Sequence, residues 1–136
     1  MIHLDTNVAI ALLNDARPRV RARFDAAQAA GTPFSLSMIV YHELMYGAAG
    51  SQRRKANEDK IALFIASGGI ALRAFEAADA VEAAEIRAQL KRTAKPIGPY
   101  DVLIAAQARR AGTTLVTANT REFERVPGLI VVDWAA

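Results

Sequence analysis

The chain opens Met1-Ile2-His3-Leu4-Asp5-Thr6-Asn7, and this stretch decides the fold. Ile2-His3-Leu4 is a short apolar run suited to a strand. Asp5, Thr6 and Asn7 are all good helix N-caps or turn formers, so the strand stops there and a helix can begin. Val8 to Leu13 reads as that helix. Strand, polar turn, helix is how a wound α/β domain starts. It leaves an acid, Asp5, at the carboxyl end of a strand.

The alternation continues outward from this opening. Arg19 to Ala30 is helical in composition and stops at Gly31 and Pro33. Phe34-Ser35-Leu36-Ser37 is a second strand, and Ser37 can cap a helix through Met38 to Tyr46 that Gly47 is expected to end. Arg53 to Ala66 reads as helix, Ile70 to Leu72 as strand, and Glu76 to Arg92 as the longest helix, with Ala83, Ile86 and Leu90 on one face. Pro96-Ile97-Gly98-Pro99 is a loop, and Tyr100 to Ala111 a helix closed by Gly112. Thr114 to Thr117 and Leu129 to Val132 are the last strands. Short apolar strands alternating with helices predict a parallel sheet covered on both faces. Ligands of such sheets bind beyond the carboxyl ends of the strands, where the winding reverses.

At 136 residues the chain suits one domain, 1–136, and its 52% apolar content excludes a disordered protein. It has no cysteine, which removes disulfides, thiolate metal sites and a cysteine nucleophile, and accords with a reducing cytosol. The N-terminus lacks the basic start and apolar core of a signal peptide, and Ile2 to Leu13 is too short to cross a bilayer. A cytoplasmic protein with no membrane contact is the expectation. No G-x-x-x-x-G-K-[ST], G-x-G-x-x-G or G-x-S-x-G motif is present, which disfavours nucleotide-cradle and serine-hydrolase chemistry.

Four acids stand where the chemistry should be. Asp5 ends the first strand, Glu43 lies four residues after Ile39 on a helix, Asp101 opens the helix after Pro99, and Glu122 follows the Leu115-Val116-Thr117 strand. Each alone has a structural reading, as a cap, a salt bridge or a complement to a helix dipole. Together, at one edge of a parallel sheet, they suggest a shared carboxylate site. Thr6, Thr117 and Asn119 are candidates to orient it. Clustered carboxylates raise one another's pKa, a penalty that a divalent cation removes. Oxygen donors without cysteine select Mg²⁺, with Mn²⁺ as substitute. His3 and His42 have no partner at H-x-x-x-H spacing and are expected to be structural rather than zinc ligands.

The motifs Leu4-Asp5-Thr6-Asn7, Tyr41-His42-Glu43-Leu44, Ile97-Gly98-Pro99-Tyr100-Asp101 and Thr117-Ala118-Asn119-Thr120-Arg121-Glu122-Phe123 resemble those of the PIN-domain ribonucleases, in the VapC toxin group. The resemblance covers the chain in order and spacing. It implies a three-layer α/β/α fold with a central, mostly parallel sheet, and Mg²⁺-dependent cleavage of RNA, with tRNA as the leading substrate. It implies that Asp5, Glu43 and Asp101 are catalytic and hold the metal. The family's fourth acid falls at Asn119, which offers a carbonyl oxygen but no charge, and Glu122 is placed to supply it. It further implies a homodimer, a VapB-type antitoxin bound in a hetero-oligomer, and contact with promoter DNA only through that antitoxin.

Charge fits this reading. Setting aside Asp5, Glu43, Asp101 and Glu122 leaves ten acids against 17 bases, a surplus of +7. The bases fall in clusters such as Arg53/Arg54/Lys55 and Lys91/Arg92/Lys95. Phosphates need such cations. Tyr41, Tyr46 and Tyr100 could stack on bases, although core positions are expected for at least two. Two alternatives use the same acids: a phospho-acceptor receiver domain, and an inactive PIN-like binding module. Asp5 followed by Thr6 rather than a second acid weighs against the receiver.

Overall fold

The computed structural model describes residues 1–136. The chain forms β1 (Ile2–Leu4), α1 (Thr6–Leu13), α2 (Pro18–Ala29), β2 (Phe34–Ser37), α3 (Met38–Ala49), α4 (Arg54–Ser67) and β3 (Ile70–Arg73). It continues with α5 (Ala77–Arg92), α6 (Pro99–Ala111), β4 (Thr114–Val116), α7 (Thr120–Phe123) and β5 (Ile130–Val132). The five strands form one sheet in the order β3-β2-β1-β4-β5, and every neighbouring pair is parallel. The chain winds outward from β1 to β3 and restarts at β4 on the other side of β1. The reversal therefore lies between β1 and β4, whose carboxyl ends lead into Asp5 and Thr117.

Register separates the two faces. Ile2 pairs with Phe34 and Thr114, and Phe34 with Ile70. On this face the Phe34 ring meets Phe24 of α2 at 4.7 Å, and Trp134 closes edge-on at 6.4 Å. Phe64 of α4 meets Phe24 at 5.9 Å. The next residues, His3, Ser35, Ala71 and Leu115, face the other way, towards α5 and α6. Leu4, Leu36, Leu115, Val116 and Ile104 are all at most 1% exposed, which puts the core on both sides of the three central strands. Burying a large aliphatic side chain stabilises by roughly 1.5–3 kcal/mol, so this two-sided core holds the strand ends still.

The helix ends follow local chemistry. Asp5 and Ser37 accept from backbone N–H groups at the starts of α1 and α3. Gly112 closes α6 with φ +65°, a conformation that costs glycine little. Three expectations change. Gly47 does not end α3, which runs on to Ala49, because Leu44 and Ala48 are both buried and their packing outweighs one helical glycine. Helix α7 was not read from the sequence; it is one turn long and exists to seat Phe123, which is fully buried. Tyr46 and Tyr100 are 75% and 49% exposed, so only Tyr41 packs against the core.

Candidate active site

Asp5 is 4% exposed at the β1–α1 junction, and its two oxygens divide their duties. Oδ1 accepts from the Thr6 N–H at 2.8 Å. Oδ2 accepts from the Thr117 hydroxyl at 2.6 Å and from the Asn7 amide at 3.3 Å. The Thr117 oxygen in turn accepts from Asn119 N–H at 3.0 Å, and Asn7 Oδ1 accepts from Ala118 N–H at 3.1 Å. Asp5 is thus the tie between the ends of β1 and β4. Burial is the main reason its pKa is raised; the hydrogen bonds from Thr117 and Thr6 oppose that, while Glu43 and Glu122 reinforce it.

Thr6, the first residue of α1, donates its hydroxyl to Glu43 Oε1 at 2.9 Å, linking α1 to α3. Glu43 is half-buried, as its position one turn after Ile39 implied. Asp101 sits in the first turn of α6 beside Glu122. Its pKa is raised to about 7, chiefly by burial and then by the charges of Glu122, Asp5 and Glu43. Burial would also raise the pKa of Glu122, but the Gly98 N–H, the Asn119 amide and Asp101 outweigh it, so that pKa is lowered. The two shifts run in opposite directions: the mutual repulsion of the pair falls on Asp101, which holds its proton more tightly, while the Gly98 and Asn119 donors favour ionised Glu122. Glu122 Oε1 accepts from Gly98 N–H at 2.6 Å, and Oε2 accepts from Asn119 Nδ2.

All seven candidate residues therefore belong to one connected constellation, through hydrogen bonds or mutual repulsion. Asn7 and Gly98 were not singled out as site residues. Asn7 had a signal, since its amide and carbonyl are two residues beyond Asp5. Gly98 had a weaker one, its place between two prolines. A Cβ built on Gly98 would lie 3.0 Å from Asp101 Oδ2. Gly98→Ala should therefore push the Asp101 carboxyl away from Glu122. The expected result is about a tenfold fall in RNA cleavage with a melting temperature within a few degrees of wild type. Circular dichroism melts and a cleavage assay on the same preparation check it.

The donor set suits a hard cation. It is made of carboxylates, hydroxyls and amides, and none of Asp5, Glu43, Asp101 and Glu122 enters an ion pair, although the charge of Arg125 helps to lower the Glu122 pKa. No three of the acids and histidines converge as a finished ligand cage. Mg²⁺ does not require one, because it is typically held by one or two carboxylates plus waters and substrate phosphates. His3 is buried against Thr113 and Ser35. His42 is exposed, its ring edge-on to Tyr100 at 5.8 Å.

Comparison with known proteins identifies the family. The PIN domain family model matches residues 2–129. A tRNA(fMet)-specific endonuclease VapC of Shigella flexneri is 40% identical over 132 residues, covering 97% of this chain and 96% of the relative. The structure of VapBC2 from Rickettsia felis bound to a DNA fragment from its promoter superposes with a TM-score of 0.90 at 30% identity, covering 98% of this chain and 99% of that one. DNA-bound VapBC from Salmonella typhimurium gives a TM-score of 0.88 at 34% identity, over 98% and 97% of the two chains. The chain belongs to the PIN-domain family, in its VapC branch.

Proposed function

We propose that the protein is a Mg²⁺-dependent endoribonuclease, the toxin of a toxin–antitoxin pair, hydrolysing phosphodiester bonds in tRNA. The observation that carries this reading is the buried Asp5 carboxylate at the sheet's reversal point, in electrostatic contact with three further acids. Four carboxylates gathered with no base in ion-pair contact suit an external cation. Asp5, Glu43 and Asp101 would hold Mg²⁺, with Mn²⁺ as substitute. Bound there, such an ion lowers the pKa of a coordinated water and neutralises charge on the phosphate.

The chain's own residues prepare that chemistry. Thr117 and the Thr6 N–H fix the rotamer of Asp5, and the Thr6 hydroxyl fixes Glu43. Glu122 takes the place of the missing acid at Asn119: it accepts from the Asn119 amide, anchors the loop through Gly98, and lies against Asp101, whose pKa its charge raises. Supporting side chains of this kind limit the carboxylates to a narrow range of positions before substrate arrives. Cleavage by an activated water leaves a 5′-phosphate and a 3′-hydroxyl.

The basic surface supports RNA as the substrate. Five of the 17 bases are in ion pairs, namely Arg21, Arg54, Lys55, Arg109 and Arg110. Arg87, Lys91, Arg92 and Lys95 are exposed and unpaired where α5 ends, beside the loop that carries Gly98 towards Asp101. Exposed Ile10, Tyr46 and Leu63 offer apolar contacts for a homodimer and a VapB-type antitoxin. Leu12 and Leu44 on the same helices are buried in the core. Promoter DNA would be met through the antitoxin, and the cytoplasm is the expected compartment. No helix is long and apolar enough to cross a membrane.

Sequencing of RNA 5′ ends after brief induction in cells tests the reading. New 5′-phosphate ends should accumulate within a small set of tRNAs and be missing when Asp5→Asn is induced instead. Identical end maps from the two proteins would exclude cleavage by this site, and would favour an inactive binding module. The match to a PIN model across residues 2–129 leaves the receiver-domain alternative without support.

A further inference from the structure

The loop that leads from α5 to Asp101 is held from the far side of the acidic site. At its start, the Ala94 and Lys95 N–H groups still bond back to the Lys91 and Leu90 carbonyls, at 3.1 and 2.9 Å. At its end, the Gly98 carbonyl accepts from Val102 N–H at 3.1 Å and opens α6. Between these points, Pro96, Ile97 and Gly98 hydrogen-bond to only two residues outside α6, Glu122 and Arg125. Gly98 N–H donates to Glu122 Oε1 at 2.6 Å, and the Arg125 guanidinium donates to the Pro96 carbonyl at 2.9 Å. Pro96 and Pro99 carry no N–H, so the loop has few donors of its own.

Both contacts come from one anchored turn. Phe123 and Val126 are 0% and 2% exposed, and Val126 N–H bonds to the Phe123 carbonyl at 3.0 Å. These buried side chains fix the backbone on either side of Glu124 and Arg125. Glu122 and Arg125 are three residues apart, and Arg125 N–H bonds to the Glu122 carbonyl at 3.1 Å, so the two side chains are neighbours on the turn. They form no ion pair with each other. Each reaches a different group of the loop instead. The Arg125 charge still favours the ionised Glu122 that accepts from Gly98. A hydrogen bond with a charged donor is stronger than a neutral one, which favours the Arg125 contact too.

The loop has little room to move without disturbing the acids. A Cβ built on Gly98 would lie 3.0 Å from Asp101 Oδ2 and 3.7 Å from Glu122 Oε1, so the Gly98 backbone sits directly against both carboxylates. Helix α6 begins at Pro99, and a displaced loop takes the start of α6, and Asp101 with it. Ile97 also packs against the core, but apolar contact has no direction. The two hydrogen bonds do. Glu122 holds the loop from a half-buried position and Arg125 from an exposed one.

We propose that Arg125 is a positioning residue for the acidic site: by holding the Pro96 carbonyl it keeps the Gly98 N–H on Glu122 and sets Asp101 in register with the other acids. It acts through the loop and touches no reacting atom. The consequence for catalysis rests on the ribonuclease reading, whereas the hold on the loop does not. An exposed arginine near a site that cuts RNA has a competing role, as a cation for a backbone phosphate. The two roles give different readouts.

The test compares wild type with Arg125→Met, which keeps the apolar stem but loses donor and charge, and with Arg125→Lys, which keeps both. Amide hydrogen exchange of the full chain is followed by NMR in chelator, without RNA. Arg125→Met should speed exchange at Gly98 by about three- to tenfold, the factor that one hydrogen bond is worth. The amides of β1 and β4 should stay as protected as in wild type, because the opening is local. Arg125→Lys should bring Gly98 most of the way back to the wild-type rate. In steady-state RNA cleavage with added Mg²⁺, Arg125→Met should lower kcat by a similar factor and leave KM unchanged. A wild-type exchange rate at Gly98 in Arg125→Met overturns the proposal, and a raised KM beside it makes Arg125 a phosphate contact. Exchange raised equally across β1 and β4 also overturns it, since that is a general loss of stability. So does a wild-type kcat despite faster exchange at Gly98. If the wild type cleaves no RNA, the ribonuclease reading fails, while exchange at Gly98 still decides whether Arg125 holds the loop.

Discussion

Asp5→Asn will leave the protein folded and lower RNA cleavage by roughly 10²–10⁴-fold, the usual cost of removing a group that positions or deprotonates the nucleophile. The substitution keeps size and shape. An Asn oxygen can still accept from Thr6 N–H, now at 2.8 Å from Oδ1. Its amide then faces the Thr117 hydroxyl, now 2.6 Å from Oδ2, which must turn its proton elsewhere. Losing one hydrogen bond costs about 0.5–1.5 kcal/mol. Removing a buried charge that Glu43 and Glu122 repel works in the other direction. The melting temperature should therefore stay within a few degrees of wild type or rise when divalent cations are chelated. Single-turnover cleavage with added Mg²⁺, beside a thermal melt, gives the answer. Wild-type rates would remove Asp5 from the chemistry, and inactivity with a collapsed melt would make its role structural.

The N-cap and the catalytic readings of Asp5 are not rivals. Oδ1 serves the helix start through Thr6, and Oδ2 serves the β1–β4 junction through Thr117 and Asn7. The same capping geometry that any strand-to-helix turn would use also fixes the direction of the carboxylate. This is why the site could be found from sequence: the local signal for the turn and the signal for the chemistry are the same three residues, Asp5-Thr6-Asn7. Ser37 and Gly112 were legible for a similar reason, since a hydroxyl that caps and a glycine at φ +65° act within one turn of themselves.

What was not legible depends on distant partners. Gly47 reads as a stop, yet the burial of Leu44 and Ala48 against the core decides that it is not. Helix α7 is too short for periodicity to show, and only the need to bury Phe123 explains it. Glu122 could be placed near the site from its spacing to Asn119, but not its coupling to Asp101. That contact needs Glu122 to reach 24 residues back to Gly98, and needs Gly98 to lack a side chain. The seat of His3 likewise depends on distant partners, Ser35 and Thr113, 32 and 110 residues away.

Asp101→Asn should make the protein more stable at pH 8 in chelator, and the gain should fade towards pH 4. The ordinary pKa of this carboxyl is 3.8 and its folded value is about 7. A group whose pKa rises on folding binds its proton more tightly in the native state, so stability falls as pH climbs from about 4 to about 7 and is flat above. Three units would correspond to about 4 kcal/mol, but Asp101 is half-exposed and solvent screening reduces this to the order of 1–2 kcal/mol. For a domain of this size that is on the order of 3–8 °C in melting temperature. Asn reproduces the protonated state, since its amide can donate to Glu122 as the acid does. Glu122, with its lowered pKa, has the opposite sign: it stabilises above its ordinary 4.5 and that contribution is lost as pH falls further, so the comparison must be made between the two proteins at each pH. Mg²⁺ reverses the order. Loading the site requires Asp101 to be ionised, and the wild type then gains RT ln(1 + [Mg²⁺]/Kd) that the variant largely lacks. Melts of both proteins at pH 5 and pH 8, with chelator and with millimolar Mg²⁺, resolve the two effects. Equal Mg²⁺ shifts in both proteins would contradict a cation site that includes Asp101, and a stability gain independent of pH would contradict the raised pKa.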